Sequence, residues 1–106
     1  MPLEKTIVTK IKQAIEAAGG KVYKIHGGPY GVAGAPDLIG GLGPMPFVLE
    51  VKRPGKRATK LQQRELDEWE EQGWVSAVVC SADEAMDALK FGAEAFWAEM
   101  RSIVNE

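Results

Sequence analysis

The chain has 106 residues, of which 45% are hydrophobic, so it is long enough to bury one core but not two. Thirteen basic and 15 acidic residues give a net charge of −2, which argues against a uniformly basic nucleic-acid-binding surface. The single cysteine, Cys80, excludes an internal disulfide, and no apolar run reaches the roughly 20 residues that span a bilayer. We therefore expect one domain over residues 1–106, soluble and cytoplasmic.

Hydrophobic periodicity predicts a helix and then a strand at the start of the chain. Apolar residues recur at helical spacing over residues 7–18, and Gly19-Gly20 ends that helix. Residues 21–25 alternate between polar and apolar side chains, which predicts a strand. The glycine-rich residues 27–34 that follow either let a nucleic-acid backbone approach closely or form a flexible connector. They contain no P-loop, because no Gly-Lys-Ser/Thr follows them.

The next two strands are predicted to form a hairpin. Residues 37–42 and 45–52 flank Gly43-Pro44, and a turn of those two residues pairs Leu42 with Met45 in an antiparallel register. The same register sets Asp37 opposite Glu50. Because residues two apart in a strand share a face, Lys52 is expected beside both carboxylates.

A helix and a buried strand are predicted after the hairpin. The helix covers residues 59–72, with Leu61, Leu66 and Trp69 as core contacts. The nearly continuous apolar run over residues 74–80 is typical of a strand that is buried on both faces. Since a helix precedes it, we expect this strand to pair in parallel with its neighbour.

The last part of the chain is predicted to be helical. Ser81 and Glu84 have the spacing of a capping box that opens a third helix, and Gly92 is expected to divide it from a final helix. An aromatic stripe in this region either covers the sheet or contacts a second copy of the chain. Its members are Phe91, Phe96, Trp97 and Met100.

The hairpin carries the residues that indicate chemistry. Asp37 and Glu50 in adjacent strand positions repel each other unless a cation lies between them. Their oxygens, with the Val51 carbonyl, suit Mg²⁺, or Mn²⁺ as a substitute, with water completing the coordination. Lys52 would then orient the attacking water or neutralise charge that develops on a phosphate. The alternative is a surface hairpin in which Asp37 caps a turn and Glu50 and Lys52 form an exposed ion pair.

Cations are concentrated directly after the hairpin. The cationic segment contains no acid and comprises Lys52, Arg53, Lys56, Arg57, Lys60 and Arg64. It runs into the start of a predicted helix, where the helix dipole disfavours positive charge, so helix stability does not account for it. Either this is a solvated surface, or Arg53, Lys56, Arg57 and Lys60 bind a DNA backbone. His26 is a further predicted DNA contact, with a structural histidine as the alternative.

The order of these motifs resembles a known family. Pro36-Asp37 followed by Glu50-Val51-Lys52 resembles the PD-(D/E)XK nuclease signature, and the layout of residues 4–80 is most similar to the small stand-alone VRR-NUC domain. The resemblance implies an α/β fold with a restriction-endonuclease-like αβββαβ core, a mixed sheet and a C-terminal helical extension. It also implies that Glu4 joins the metal site and that Gln63 acts in catalysis.

The resemblance implies an activity as well. We expect a Mg²⁺-dependent endonuclease that hydrolyses phosphodiester bonds in DNA, selective for Holliday-type four-way junctions or other branched DNA. A homodimer is expected, because stand-alone members of the family act as homodimers on such junctions. The alternative from another class is a non-catalytic nucleic-acid-binding module on the same fold. A metal-free reaction with Lys52 as nucleophile is disfavoured, because flanking carboxylates keep its amine protonated.

Overall fold

In the computed structural model, which describes residues 3–26 and 31–104, a four-stranded mixed sheet organises these residues. The sheet has the order β1-β2-β3-β4, antiparallel between β1, β2 and β3 and parallel between β3 and β4. The elements in chain order are α1 (Glu4–Ala17), β1 (Lys21–Lys24), β2 (Leu38–Leu42), β3 (Met45–Val51), α2 (Lys60–Glu71), β4 (Val75–Val79) and α3 (Ala82–Val104). The predicted αβββαβ order, mixed sheet and C-terminal helical extension are confirmed.

The hairpin has the register that the turn length predicts. Leu42 pairs with Met45 and Leu38 pairs with Leu49, so the turn consists of Gly43 and Pro44. Gly43 adopts a φ of +59°, a left-handed conformation that favours glycine. The strand β2 begins one residue later than predicted, which leaves Asp37 at its entrance rather than inside the ladder.

The two faces of the sheet have different roles. Phe47, Leu49 and Val51 of β3 are fully buried in the core that α1 and α3 cover. Side chains alternate along a strand, so Val48 and Glu50 point to the opposite face, where α2 packs on β3 and β4. The polar side chains of the hairpin therefore lie on the α2 face, and most of the core lies on the other. Each fully buried apolar side chain of the core contributes about 1.5–3 kcal/mol to the stability of the fold.

The start of α2 is fixed by a capping box at Thr59. The Thr59 hydroxyl accepts a hydrogen bond from the Gln62 N–H at 3.1 Å, and the Gln62 side-chain oxygen accepts one from the Thr59 N–H at 2.9 Å. Of the predicted core contacts on this helix, Leu66 is buried and Trp69 is half-buried. The prediction for Leu61 is wrong, because its side chain is 48% exposed.

Two predictions for the last third of the chain are also wrong. The strand β4 lies at the edge of the sheet, so residues 75–78 are half-buried rather than buried on both faces. The helix α3 is continuous through Gly92, which stands where a Cβ atom would collide with Val75. Gly92 therefore permits close packing of α3 on β4 and does not end a helix. The predicted Ser81 cap is present, with the Ser81 hydroxyl accepting from the Glu84 N–H at 3.1 Å.

The C-terminal half of α3 extends beyond the sheet. Its aromatic stripe does not cover the core, since Phe91 is 69% and Trp97 is 50% exposed. Ile103 and Val104 are also exposed. The interpretation of the stripe as a cover for the sheet is therefore wrong for Phe91, Trp97 and Met100, whereas Phe96 is half-buried and lines a cavity with Val75 of β4. Among the described residues, no helix combines the length and the hydropathy that a bilayer crossing requires.

Candidate active site

The Asp37 side chain is held by the main chain of the neighbouring strand. One carboxylate oxygen, Oδ2, accepts a hydrogen bond from the Val51 N–H at 2.7 Å. The Asp37 carbonyl accepts a second hydrogen bond, from the Ile25 N–H at 2.8 Å, which continues the β1–β2 pairing past the end of β1. A charge-assisted bond of this length orients a carboxylate well. Asp37 is therefore fixed against the end of β3.

Glu50 is a buried carboxylate with few partners. Its residue is only 2% exposed, and its Oε1 atom lies 3.7 Å from Lys52 Nζ. Among the described residues, its second oxygen, Oε2, is buried and accepts no hydrogen bond. The structure thus brings Asp37, Glu50 and Lys52 to one side of the hairpin. The alternative of an exposed Glu50–Lys52 ion pair is wrong, because both side chains are largely removed from solvent.

Burial and a neighbouring negative charge raise the pKa of Glu50 from 4.5 to about 8. Burial is the largest cause, because desolvation disfavours the charged form. The Asp37 carboxylate comes next, through repulsion, and Lys52 opposes the shift. Glu4 adds a smaller repulsion from the start of α1. The site therefore holds more negative charge than Lys52 compensates.

These residues fit a hard divalent cation. A carboxylate pair with one unpartnered buried oxygen offers the oxygen ligands that Mg²⁺ takes, and a positive ion there would relieve the repulsion that raises the Glu50 pKa. Since the N–H and C=O of a strand residue point to the same edge, the Val51 carbonyl lies on the Asp37 side of β3. Within residues 3–26 and 31–104, no three acidic, histidine or cysteine side chains form a metal-binding group by themselves. Backbone and water oxygens would complete the coordination.

Most of the cationic segment lies on the surface beside this site. Lys56, Arg57 and Lys60 are exposed, and they line a cavity of about 460 Å³. The chain reverses direction before them, through a turn in which the Lys56 N–H donates to the Arg53 carbonyl at 3.0 Å. Gly55, with a φ of +85°, provides the left-handed residue of that turn.

Two members of the cationic segment differ from the rest. Arg64 forms an exposed ion pair with Glu68 at 3.3 Å on the same helix, so its charge is already paired. Arg53 is half-buried, and among the described residues its Nε atom is buried without a hydrogen-bond partner. Arg53 and Glu50 therefore each leave one buried polar atom unpaired near the end of β3. Buried polar atoms without a hydrogen-bond partner are rare in proteins. Where they occur, they often belong to functional sites.

Gln63 and His26 line two different cavities on the surface of the protein. The Gln63 amide donates a hydrogen bond to Asp67 Oδ1 at 2.9 Å, and its residue lines the same cavity as Lys56, Arg57 and Lys60. The structure thus places Gln63 with the cationic segment. His26 is exposed after the end of β1 and lines another cavity, which also contains Asp37 and Trp69.

Sequence reasoning gave no functional role to the α2 residues that border this second cavity, and it treated Trp69 only as a core contact. Gln62, Glu65 and Trp69 line it, on a different side of α2 from the cationic cavity. The only signal in the sequence was the spacing of Thr59 and Gln62, which is that of a capping box. That spacing predicts where a helix begins and carries no information about a cavity.

The fold and the carboxylate–lysine arrangement define a nuclease-type domain. A solved structure described as a VRR_NUC domain is similar to this chain, with 28% sequence identity and a TM-score of 0.70. The similarity covers 82% of this chain and 94% of that one. The chain thus has the fold of the VRR-NUC domain, as the sequence predicted. No protein-family model and no curated protein matches the sequence.

Proposed function

We propose that this protein is a Mg²⁺-dependent endonuclease that hydrolyses phosphodiester bonds in DNA. The observation that carries the proposal is the pair formed by buried Glu50 and half-buried Asp37, with Lys52 beside it and, among the described residues, an unpartnered oxygen on Glu50. A purely structural hairpin gains nothing from a buried and a half-buried carboxylate with one lysine, because burying such charges costs stability. The similarity to a VRR_NUC domain supports the same assignment.

Asp37 and Glu50 would hold Mg²⁺, or Mn²⁺ as a substitute, together with the Val51 carbonyl and with Glu4 as a more distant acidic group. Bound there, the ion would polarise a phosphate oxygen and lower the pKa of a coordinated water. The hydrogen bond from the Val51 N–H to Asp37 keeps this carboxylate in place before any ion arrives. Such preorganisation lowers the cost of assembling the site.

Lys52 has the position of the charge-stabilising group. Its side chain is 17% exposed, so its ammonium reaches the site from within the protein and remains accessible to substrate. From there it would donate a hydrogen bond to the attacking water or to a phosphate oxygen as negative charge develops. This donor role differs from that of a nucleophile, which would require a free amine.

The DNA backbone would run along the cationic segment. Lys56, Arg57 and Lys60 are exposed on one surface, and Arg53 lies between them and the carboxylate pair in the chain. Gln63 would join them by exchanging its hydrogen bond to Asp67 for one to the backbone. Contacts of this kind fix position without reading bases, so selectivity would come from the shape of a junction or other branched DNA.

A second copy of the chain would pack against α3 along a seam of four residues. Ala93, Trp97, Met100 and Val104 are spaced alternately by four and three residues, which is the spacing of a coiled-coil seam. In an antiparallel pair of these helices, Trp97 opposes the partner's Met100 and Val104 opposes the partner's Ala93. The seam is therefore complementary to itself, as a two-fold dimer requires.

The charges that flank this seam are also complementary. In the antiparallel pair, Glu94 lies beside the partner's Arg101, and the symmetry repeats this contact. A shallow cavity of about 220 Å³ on α3, lined by Trp97, Met100, Arg101 and Val104, would receive the partner's seam residues. A homodimer would present two sites to a branched substrate, one for each strand to be cut.

Cleavage assays test the catalytic proposal. Linear duplex and four-way junction DNA would be incubated with wild type and Lys52→Ala in Mg²⁺, Mn²⁺ or a chelator, and binding would be measured in parallel. We expect wild type to cut the junction faster than the duplex, Lys52→Ala to bind without cutting, and the chelator to stop the reaction. Binding by pure wild type without cutting in either metal would instead identify a non-catalytic nucleic-acid-binding module.

A further inference from the structure

A cavity lies beside Asp37, lined by residues of the loop that precedes Asp37 and by residues of α2. It has a volume of about 400 Å³, and its lining includes His26, Val32, Asp37, Gln62, Glu65 and Trp69. Volumes in this range are typical of sites for small organic ligands. Because Asp37 belongs both to this lining and to the carboxylate pair, a group bound here would lie next to the reacting phosphate.

Two packing contacts fix the shape of this cavity. Gly34 adopts a φ of +79°, and a Cβ atom there would lie 2.8 Å from Leu61 Cγ, so the loop before Asp37 presses directly on α2. On the opposite wall, the Trp69 ring packs edge-on against Trp74 with ring centroids 4.6 Å apart. The Trp69 Nε1–H also donates to Glu65 Oε1 at 3.3 Å. The indole is thus held in one orientation.

The chemistry of the lining distinguishes between possible occupants. Asp37 and Glu65 contribute carboxylates, which would repel a phosphate, and the exposed cations that attract phosphate line another cavity. The Gln62 oxygen is used by the helix cap, which leaves its amide N–H groups as donors. Within the described residues, the second oxygen of Glu65 accepts no hydrogen bond and is available as an acceptor. The described lining of the cavity therefore offers an aromatic side chain, a donor and an acceptor, but no cationic side chain of lysine or arginine.

We propose that this cavity binds one unstacked nucleobase of the DNA strand being cut, from a nucleotide next to the scissile phosphate. A nucleobase is neutral, contacts aromatic rings well, and carries donors and acceptors on one edge. The proposal rests on the proposed function for its substrate and goes further in naming what is recognised. Extruding a base is easiest where it is already unpaired. The cavity would therefore explain a preference for branch points over intact duplex.

An abasic scan of a four-way junction tests this proposal. Junctions that lack a single base at successive positions around the branch would be titrated against the protein in Ca²⁺, and binding would be followed by fluorescence anisotropy. We expect the loss of one base next to the cleavage position to weaken binding about tenfold, the effect of losing one stacked base.

A cavity-filling variant is the second test of the proposed base-binding cavity. Val32 is 68% exposed at the cavity mouth, so Val32→Trp should fold normally and obstruct entry. We expect this variant to bind the intact junction about tenfold more weakly than wild type and to lose sensitivity to the missing base. Glu16→Trp, an exposed position on α1 outside the cavity, is the matched control and should behave as wild type does. Glu65→Gln is a second variant and should change which base is preferred at the sensitive position.

The outcomes separate this proposal from the nuclease activity. If wild type cuts the junction but binds every abasic version within about twofold, the cavity does not hold a base and the nuclease assignment stands. If one base matters for binding and Val32→Trp abolishes the effect without any cleavage, the cavity assignment stands and the nuclease proposal fails. A Val32→Trp variant that remains as sensitive as wild type would overturn the cavity proposal, as would a protein that does not bind the junction.

Discussion

The Asp37 carboxylate accepts a hydrogen bond from the Val51 N–H at 2.7 Å, which ties the entrance of β2 to the end of β3. This contact explains how two acidic side chains thirteen residues apart in the chain come together on the α2 face of the sheet. The backbone donor stabilises the charge of Asp37, while Glu50 has the lysine at 3.7 Å as its only described ion-pair partner. The two carboxylates therefore make different contributions to stability.

A pair of substitutions at Asp37 separates its charge from its hydrogen bond. Asp37→Asn keeps an oxygen that accepts from the Val51 N–H but removes the repulsion on Glu50, so we expect the metal-free protein to gain on the order of 1 kcal/mol. Asp37→Ala leaves the Val51 N–H without this acceptor and should lose about 1–3 kcal/mol. Chemical denaturation measures both changes. Both variants should fail to cut DNA, and equal stabilities for the two would contradict the role of the hydrogen bond.

The raised pKa of Glu50 predicts how stability depends on pH. In the unfolded chain this group ionises near 4.5, whereas in the metal-free folded protein it stays protonated until about pH 8. The folded state binds the extra proton over that interval, so the free energy of unfolding should fall as pH rises from 4.5 to 8 and then level off. Urea titrations of wild type and Glu50→Gln without metal would measure the difference.

Addition of Mg²⁺ provides the complementary measurement. The ion would bind the ionised form of Glu50, so it should stabilise wild type more at pH 8 than at pH 5. Glu50→Gln should show little of this gain. If wild type and Glu50→Gln have parallel stability curves with and without metal, Glu50 neither carries the raised pKa nor binds the ion.

The cationic segment predicts a salt-dependent loss of DNA affinity. Replacing both Lys56 and Arg57 with alanine removes two exposed charges from the proposed backbone contact, so the slope of log K against log salt should fall by about 1.8. Arg64→Ala is the control, because Arg64 is already paired with Glu68 and should change the slope little. Titrations at several salt concentrations give these slopes. Equal slopes for the double variant and wild type would place the DNA elsewhere.

The proposed antiparallel pairing of two α3 helices predicts a dimer that a charge in the seam disrupts. Trp97→Glu places a charge in the apolar seam and should give a monomer by analytical ultracentrifugation. Phe91→Glu alters an aromatic residue that is more exposed than Trp97 and lies outside the seam, so it should leave the dimer intact.

A charge swap tests the register of this pair. Glu94→Arg alone places like charges together and should weaken the dimer, and the double variant Glu94→Arg with Arg101→Glu should restore it. A monomeric wild type, or a double variant as weak as the single one, would contradict this arrangement. Cleavage of the junction by the monomeric Trp97→Glu variant would show whether one site acts alone.

Local patterns in the sequence were sufficient for most of the elements and for the carboxylate pair. A two-residue turn and the alternation of side chains fix the register of β2 and β3, so Leu38 opposes Leu49 and Asp37 comes next to Glu50. The capping spacings of Thr59 and Ser81 likewise mark where α2 and α3 begin. These features depend on residues that are close together in the chain, or on a pairing that one turn determines.

Only the tertiary structure decided which apolar side chains are covered. Leu61 and Trp97 lie on stripes with the same periodicity as buried ones, yet Leu61 is 48% and Trp97 is 50% exposed, and the loop at Gly34 covers only part of Leu61. Gly92 resembles a helix breaker in sequence but serves the packing of α3 against Val75. The cavity at Trp69 likewise exists only because the loop at Gly34 meets α2 there. Burial depends on the positions of distant segments, whereas periodicity determines only which residues share a face.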